Sequence, residues 1–140
     1  MKDLGYLAQD ISILHRQYYK DTGALFSEYD LNPTAVCVLL TVHDKQGINQ
    51  NQVARELVID KGLATREVKK MVELDLLSKT AGRGHQVLLN TTVSGDRLIP
   101  TVQKIRSDWW KERLGESGIT VDSPLFEAID KVVSTIVEPD

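Results

Sequence analysis

Residues 49–91 read NQNQVARELVIDKGLATREVKKMVELDLLSKTAGRGHQVLLNT. Two short helical patterns separated by a tight turn precede a glycine-containing loop between two β-prone segments. This order is typical of a module that places its second helix in the major groove of DNA and a flanking loop beside it. The stretch therefore predicts a DNA-binding unit, which the rest of the chain must hold in place.

The two helices of this stretch have recognisable start signals. Asn49 is expected to cap the first of them, with Gln52 reaching back in a variant of the capping box, and that helix should end near Leu57. Asp60 is expected to cap the next helix, which should run to about Leu74. Its apolar stripe is Ala64, Val68, Met71 and Val72, and its opposite face carries Gly62, Thr65, Arg66, Lys69 and Glu73, with Lys70 at the margin.

The β-prone segments, Leu76–Thr80 and Gln86–Thr91, predict a hairpin. The loop Ala81-Gly82-Arg83-Gly84 between them is tight, and both glycines are free to adopt positive φ.

Amphipathic helices flank this unit on both sides. A first helix is predicted from about Leu4 to Phe26, and a second opens with Asn32 as N-cap and Pro33 at its first position. A long helix over about 93–114 contains Pro100, which predicts a bend or an early break near residue 99. Ser123-Pro124 opens a last helix. These terminal helices carry more apolar surface than a compact DNA-binding lobe can cover. They therefore predict an interface with a second copy of the chain.

Composition and charge set the broad class. The chain has 140 residues, 41% of them hydrophobic and 26% charged, which fits one globular domain. It lacks a run of about 20 apolar residues, so no membrane association is expected. A single cysteine excludes an internal disulfide framework and favours a cytoplasmic location. Net charge is −3, yet the segment 60–85 holds six basic and four acidic residues, a local excess of +2.

Several motifs resemble the MarR family of winged helix-turn-helix regulators over essentially the whole chain. Leu31-Asn32-Pro33 is similar to the family's Leu-Thr-Pro opening of the second helix, and residues 48–57 resemble its pattern "l-t-q-s-E-L-A-x-x-L". Residues 60–68 resemble "d-k-s-t-v-t-r-l-v", with Thr65 and Arg66 at the matching positions. Residues 87–95 follow "v-x-L-T-x-x-G" through Thr92 and Gly95. The resemblance implies a homodimer whose recognition helix begins at Asp60.

Two positions depart from the family pattern. Arg83-Gly84-His85 stands where the family usually has Asp-x-Arg, so the carboxylate that would steady a wing arginine is absent. Asp75 replaces the usual glycine after the recognition helix and adopts the left-handed conformation less comfortably than glycine. The wing is thus expected to contact DNA through Arg83, with His85 as a pH-dependent second group.

The expected roles of the DNA-binding residues follow from their chemistry. Thr65 and Arg66 should read bases, since arginine can bind guanine in a bidentate manner. The lysines and the amides at the start of the third helix should hold phosphates. The complete predicted set is Asn49, Gln50, Asn51, Lys61, Gly62, Thr65, Arg66, Lys69, Lys70, Arg83 and His85.

Other chemistry is less prominent. Cys37 has two readings: a redox sensor, as in one branch of the family, or a buried small hydrophobe in an apolar run. The histidines lack the spacing of a metal site, and no catalytic constellation is visible, so no metal, cofactor or enzymatic activity is expected. By the family resemblance, a small-molecule effector pocket could be lined by aromatic residues, His15, Tyr18, Tyr19, His43, Trp109 and Trp110.

The sequence predicts a mainly α protein with a small β-hairpin wing, a winged helix-turn-helix with N- and C-terminal dimerisation helices. Residues 1–140 form one domain, with a DNA-binding lobe at 31–92 and dimerisation helices at 1–30 and 93–140. The expected function is ligand-responsive repression by a homodimer bound to an inverted-repeat operator in double-stranded DNA. The alternative is a winged-helix dimer that acts through protein–protein interaction without binding DNA.

Overall fold

The structure is a computed structural model and describes residues 3–137, so residues 1–2 and 138–140 of the predicted dimerisation segments lie outside the described residues. Residues 3–137 form six helices and a two-stranded antiparallel sheet. This matches the predicted mainly α fold with a hairpin wing. The elements are α1 (Tyr6–Ser27), α2 (Pro33–Asp44), α3 (Gln50–Leu57), α4 (Lys61–Glu73), β1 (Leu77–Ala81), β2 (Val87–Thr91), α5 (Val93–Glu116) and α6 (Pro124–Val137).

The predicted helix starts are confirmed by their hydrogen bonds. Asn32 accepts the Ala35 amide at 2.8 Å, and Pro33 occupies the first helical position of α2. Asn49 and Gln52 complete a reciprocal capping box at the start of α3. These caps are set by residues close in sequence, so the sequence pattern places the starts correctly.

Helices α1, α3 and α4 end in the same way, with one residue in the left-handed region followed by an apolar residue whose amide bonds back five positions. The left-handed residues are Asp30, Val58 and Asp75, with φ of 60°, 51° and 59°. Asp75 thus adopts the left-handed conformation although it is not a glycine. Aspartate tolerates this region, whereas a β-branched residue such as Val58 does so at a cost in conformational energy.

Helix α2 runs through the centre of the molecule. Its apolar residues are buried nearly all round, which explains why the run VCVLLTV lacks a polar face. Phe26 of α1, Met71 of α4, Leu89 of β2 and Val102 of α5 pack around it. A single core therefore joins the helix-turn-helix, the wing and the long helices, and the position of each depends on the others.

The wing strands pair antiparallel, from Leu77 opposite Thr91 to Ala81 opposite Val87. Ile48 forms a further bridge to Leu89: the Leu89 amide donates to the Ile48 carbonyl, and the Gly47 amide donates to the Leu89 carbonyl, both at 2.8 Å. These bonds attach the wing to the segment before α3. In the loop, Gly84 has the expected positive φ of 63°. Gly82, which is equally free to adopt positive φ, does not do so.

Pro100 does not break α5, so the early break that was the second of the two predicted outcomes near residue 99 is wrong. The helix continues from Val93 to Glu116 with Pro100 inside it. Gly95, Ile99 and Val102 are buried on one side of the helix, while the proline ring lies on the exposed side. Packing on both sides of the proline holds the helical path, and water can reach the carbonyl that loses its amide partner.

The outer ends of the molecule expose apolar faces. Along α1, exposed apolar residues recur at helical spacing, and Ile11 is 63% exposed. Helix α6 contains no buried residue, and its Ile129 is 52% exposed. Within residues 3–137, no helix combines the length and apolar character that crossing a bilayer requires.

Candidate nucleic-acid interface

The outward face of α4 carries basic side chains that have no acidic partner within residues 3–137. Lys61, Arg66 and Lys69 are exposed, and none of them forms an ion pair among the described residues. Lys70 is half-buried at the margin of this face, as its position on the helix predicts. The face can therefore offer its full positive charge to a phosphate backbone or a base edge.

Gly62 keeps space open at the start of this face. Asp60 caps α4 by accepting the Gly62 amide at 2.8 Å. A side-chain carbon at position 62 would lie 2.8 Å from the Asp60 carboxylate and 3.4 Å from a guanidinium nitrogen of Arg66. The absence of a side chain thus allows the cap and the arginine to approach each other.

A hydrogen bond joins the two helices of the helix-turn-helix on their exposed side. The Gln50 amide nitrogen donates to the Thr65 hydroxyl at 2.6 Å, and that hydroxyl donates to the Lys61 carbonyl at 2.8 Å. Gln50 was predicted to hold a phosphate. In this arrangement one of its two amide N–H groups is bonded to the recognition helix, and the other remains for a phosphate.

A groove of about 530 Å³ lies between the start of α3 and the wing. It brings together Asn49, Gln50 and Asn51 of the predicted set with His85. The backbone amide and side-chain oxygen of Asn49 are used by the capping box, so Asn51 is the exposed amide of the three. The groove also includes Lys79, Gln86, Val87 and Leu89.

Lys79 and Gln86 were missed as site residues by sequence reasoning. Lys79 lies opposite Leu89 in the hairpin, and its side chain is exposed at the groove, whereas Leu89 is buried. The available signal was strand alternation, which places Lys79 on the same face as Leu77 and Ala81. Lys79 therefore gives the groove a positively charged side chain.

At the tip of the wing, Arg83, Gly84 and His85 are all exposed. Backbone bonds close the loop, from Gly82 N to Gln86 O at 2.9 Å and from Gln86 N to Arg83 O at 3.2 Å. Arg83 has no carboxylate partner among the described residues, in agreement with the missing Asp-x-Arg pattern. The side chain of Arg83 is therefore not oriented by a neighbouring group.

The base of the wing is held more firmly, by a network that joins α2, β2 and α5. The Gln46 side chain donates to the Thr91 hydroxyl at 2.6 Å and accepts the Thr91 amide at 2.9 Å. The Thr91 hydroxyl donates to Asp96 at 2.5 Å, and Nδ1 of His43 lies 3.3 Å from the same carboxylate oxygen. The Thr91 bond, with a smaller contribution from His43, holds the pKa of Asp96 below its usual value despite partial desolvation.

Five of the six aromatic residues predicted for an effector pocket lie together. The ring centroids of His15 and Tyr19 are 4.2 Å apart, those of Tyr18 and Trp109 are 5.3 Å apart, and those of Trp109 and Trp110 are 4.8 Å apart. Burial raises the pKa of Tyr18 to about 12. His43 is not part of this cluster, because the last turn of α2 places it beside Asp96.

Asp21 links α1 to α5 next to the aromatic cluster. One carboxylate oxygen accepts from the Trp109 indole at 2.9 Å and from Arg113 at 2.8 Å, and the other accepts from Gln17 at 2.8 Å. These bonds, led by those of Trp109 and Gln17, lower the pKa of Asp21. A cleft of about 350 Å³ runs alongside, and of the predicted pocket residues only Trp109 lines it.

Cys37 and the histidines offer little further chemistry. Cys37 is half-buried, and burial raises the pKa of its thiol, which disfavours the reactive thiolate. In the part of the chain that the structure describes, no three His, Cys, Asp or Glu side chains are grouped as metal ligands.

Glu67 is a buried carboxylate on the inner side of α4 that sequence reasoning did not single out. It is 8% exposed, and one oxygen accepts from the Asn32 amide at 3.2 Å. Asn32 therefore both caps α2 and contacts the recognition helix. On the helical wheel Glu67 lies about 40° from Met71, so the apolar stripe already marked its side of the helix.

Comparison with known proteins identifies the fold and relates part of the chain to a known family. Residues 29–86 match the model of the MarR family, and no curated protein sequence matches the chain. The structure is similar to that of a putative MarR family transcriptional regulator from Listeria monocytogenes complexed with 26mer DNA. That protein is 25% identical with a TM-score of 0.83, and the alignment covers 99% of this chain and 92% of that one.

Two further solved structures agree. A MarR transcriptional regulator from Methanosarcina mazei Go1 is 22% identical with a TM-score of 0.81, covering 99% of this chain and 92% of that one. Wild-type MarR from E. coli, in the apo form, is 20% identical with a TM-score of 0.75, covering 94% of this chain and 98% of that one. The chain therefore has the winged helix-turn-helix fold of these MarR family structures, and its residues 29–86 match the model of that family.

Proposed function

We propose that this protein is a homodimeric transcriptional regulator, and not an enzyme, that binds double-stranded DNA through α4. The main support for this proposal is the exposed face of α4, where Lys61, Arg66 and Lys69 have no ion pair among residues 3–137. Arg66 contacts a base edge, while the lysines contact phosphates. The Listeria relative in complex with DNA supports this assignment.

The groove beside α3 extends the contact along the duplex. Asn51, Lys79 and His85 line it together with the first turn of α3. Amide groups and a lysine in a concave surface suit a phosphate, and the exposed wing tip with Arg83 reaches further along the backbone. The local excess of +2 over residues 60–85 attracts the duplex to this side of an otherwise acidic chain.

Dimerisation uses the exposed apolar faces of α1 and α6. Ile11 and Ile129 represent these faces, and water contact with so many apolar side chains is unfavourable in a lone chain. A two-fold dimer would present two copies of α4 to successive major grooves of an inverted repeat. Segments 1–30 and 93–140 would then form the dimerisation part and 31–92 the DNA-binding lobe.

Size measurement by light scattering tests the dimer. Ile11→Asp should shift the protein from dimer to monomer, because it places a charge in an apolar interface. Val87→Asp is the matched control, since Val87 is also exposed but lies on the wing. A wild-type protein that is monomeric at micromolar concentration would contradict the proposal.

Fluorescence anisotropy with the protein's own upstream region tests DNA binding. Arg66→Ala should cost about 1–3 kcal/mol and relax base preference at one position per half-site. Lys69→Ala should weaken binding to all sequences and reduce the salt slope by about one. Lys111→Ala, an exposed basic residue on α5, is the control.

Three results would count against these assignments. Equal loss on specific and random duplexes for Arg66→Ala would remove it from base reading. The absence of any binding at low salt would refute the proposal and favour the protein-binding alternative, with which the net charge of −3 agrees. A reporter placed under the control of the bound promoter whose expression falls when the gene for this protein is deleted would contradict its assignment as a repressor.

An effector bound at the aromatic cluster would make the repressor ligand-responsive. Tyr18 and Trp109 pack edge to face between α1 and α5, so a compound inserted there would move α5. Tryptophan emission and DNA affinity, followed together across a panel of small aromatic compounds, test this. A compound that quenches emission and leaves DNA affinity unchanged would argue against the coupling.

A further inference from the structure

The Thr65 hydroxyl is already engaged within the protein. It donates its proton to the Lys61 carbonyl at 2.8 Å and accepts the Gln50 amide at 2.6 Å. A threonine hydroxyl has one proton and two lone pairs. One lone pair therefore remains for an external partner, and the proton does not.

This occupancy limits what Thr65 can read in a major groove. Without a free proton, its hydroxyl cannot donate to the acceptors of guanine or to O4 of thymine. The side chain is exposed, so its γ-methyl group is its largest free feature. A methyl group is complementary to the 5-methyl group of thymine, which no other base carries in the major groove.

The Gln50 bond also fixes the direction of that methyl group. Threonine in a helix divides between two rotamers, one of which bonds back to the preceding turn. The bond to Lys61 selects this rotamer, and Gln50 holds it from the neighbouring helix. Gln50 is therefore placed to orient Thr65.

We propose that Thr65 recognises thymine through its γ-methyl group and that Gln50 is the positioning residue for this contact. The proposal rests on the DNA-binding function proposed above and names the base that one residue selects.

The test uses duplexes enriched from a random library by the wild-type protein. Each thymine is replaced in turn by deoxyuridine, which lacks only the 5-methyl group. At one thymine per half-site the wild-type protein should lose about fourfold in affinity, the effect of removing one buried methyl group.

Three variants separate the methyl group from the hydroxyl. Thr65→Ser lacks the methyl group and should no longer distinguish thymine from deoxyuridine at that position. Thr65→Val retains a methyl group there and should keep the distinction. Gln50→Ala should reduce the ratio of the two affinities by releasing Thr65 to its second rotamer, and a loss of stability alone would not change that ratio.

Two results would overturn the inference. A Thr65→Ser variant that keeps the distinction would show that another residue contacts the thymine methyl group, and a Thr65→Val variant that loses it would show that the γ-methyl group does not carry the recognition. The two proposals fail in different ways, since a wild-type protein that enriches no sequence would refute DNA binding itself.

Discussion

Val58 is the residue whose replacement should be most informative about the helix-turn-helix. It ends α3 in the left-handed region, with φ of 51° and ψ of 50°, and its side chain is 69% exposed. The left-handed conformation costs a non-glycine residue about 1–2 kcal/mol. Glycine has no such cost, so Val58→Gly should remove this strain from the turn before α4.

The substitution also has unfavourable effects, which a matched site isolates. Glycine loses about 0.5–1 kcal/mol more conformational entropy on folding, and some apolar burial disappears with the valine side chain. Val121 is 67% exposed and its φ is not positive, so Val121→Gly carries the same losses without relief of strain. Val58→Gly should therefore be more stable than Val121→Gly by about 1–2 kcal/mol.

Urea unfolding followed by circular dichroism measures the difference at one fixed protein concentration, because a dimer unfolds in a concentration-dependent manner. Val58→Ala serves as a second control, because it removes most of the side chain but keeps the backbone strain. Its free energy of unfolding should therefore be lower than that of Val58→Gly. Equal destabilisation of the two glycine variants, or equal stability of the alanine and glycine variants at position 58, would refute the reasoning.

Three further predictions concern α5 and its contacts. Gly95→Ala should destabilise the fold by about 3 kcal/mol, because the new carbon would lie 2.2 Å from the Leu76 carbonyl oxygen. Gly115 lies in open space on the same helix, so Gly115→Ala should stabilise the fold slightly. Chemical denaturation compares the free energies of unfolding of the two variants. Because the pKa of Asp21 is lowered in the folded protein, its carboxylate stabilises the fold fully at pH values above its unfolded pKa of about 3.9. This stabilisation is lost as the pH falls through the lower pKa of the folded state. Asp21→Asn should therefore reduce the decrease in stability at acid pH. In an ultraviolet titration, Tyr18 should ionise near pH 12, and Tyr18→Phe should remove this late step.

The features that the sequence predicted well are local ones. The caps at Asn32, Asn49 and Asp60 use neighbours two or three residues away, so residue type and spacing were sufficient to place them. The exposed face of α4 likewise follows from helical periodicity alone.

The features that the sequence missed depend on contacts between distant segments. Pro100 stays inside α5 because Ile99 and Val102 are buried on the opposite side, which local propensity cannot reveal. His43 joins Asp96 instead of the aromatic cluster because α2 ends against the base of the wing. The bond from Gln50 to Thr65 required the docking angle of α3 on α4, which the turn at Val58 determines.

Helix α4 is bonded to α3 near its start and is linked to α5 just beyond its end. At its start, Gln50 bonds to Thr65 from α3. At its end, the Thr92 hydroxyl donates to the Asp75 carbonyl at 2.5 Å, and Gly95 packs directly on the backbone of Leu76.

The start of α5 is thus attached to the residues that directly follow α4, so we expect a displacement of α5 to move the recognition helix. Among residues 3–137 the tip of the wing has no such attachment, and its loop bonds to itself through Gly82, Arg83 and Gln86. An effector that moves α5 would therefore act on DNA affinity through α4, while contacts at Arg83 would adapt to the duplex without transmitting that change.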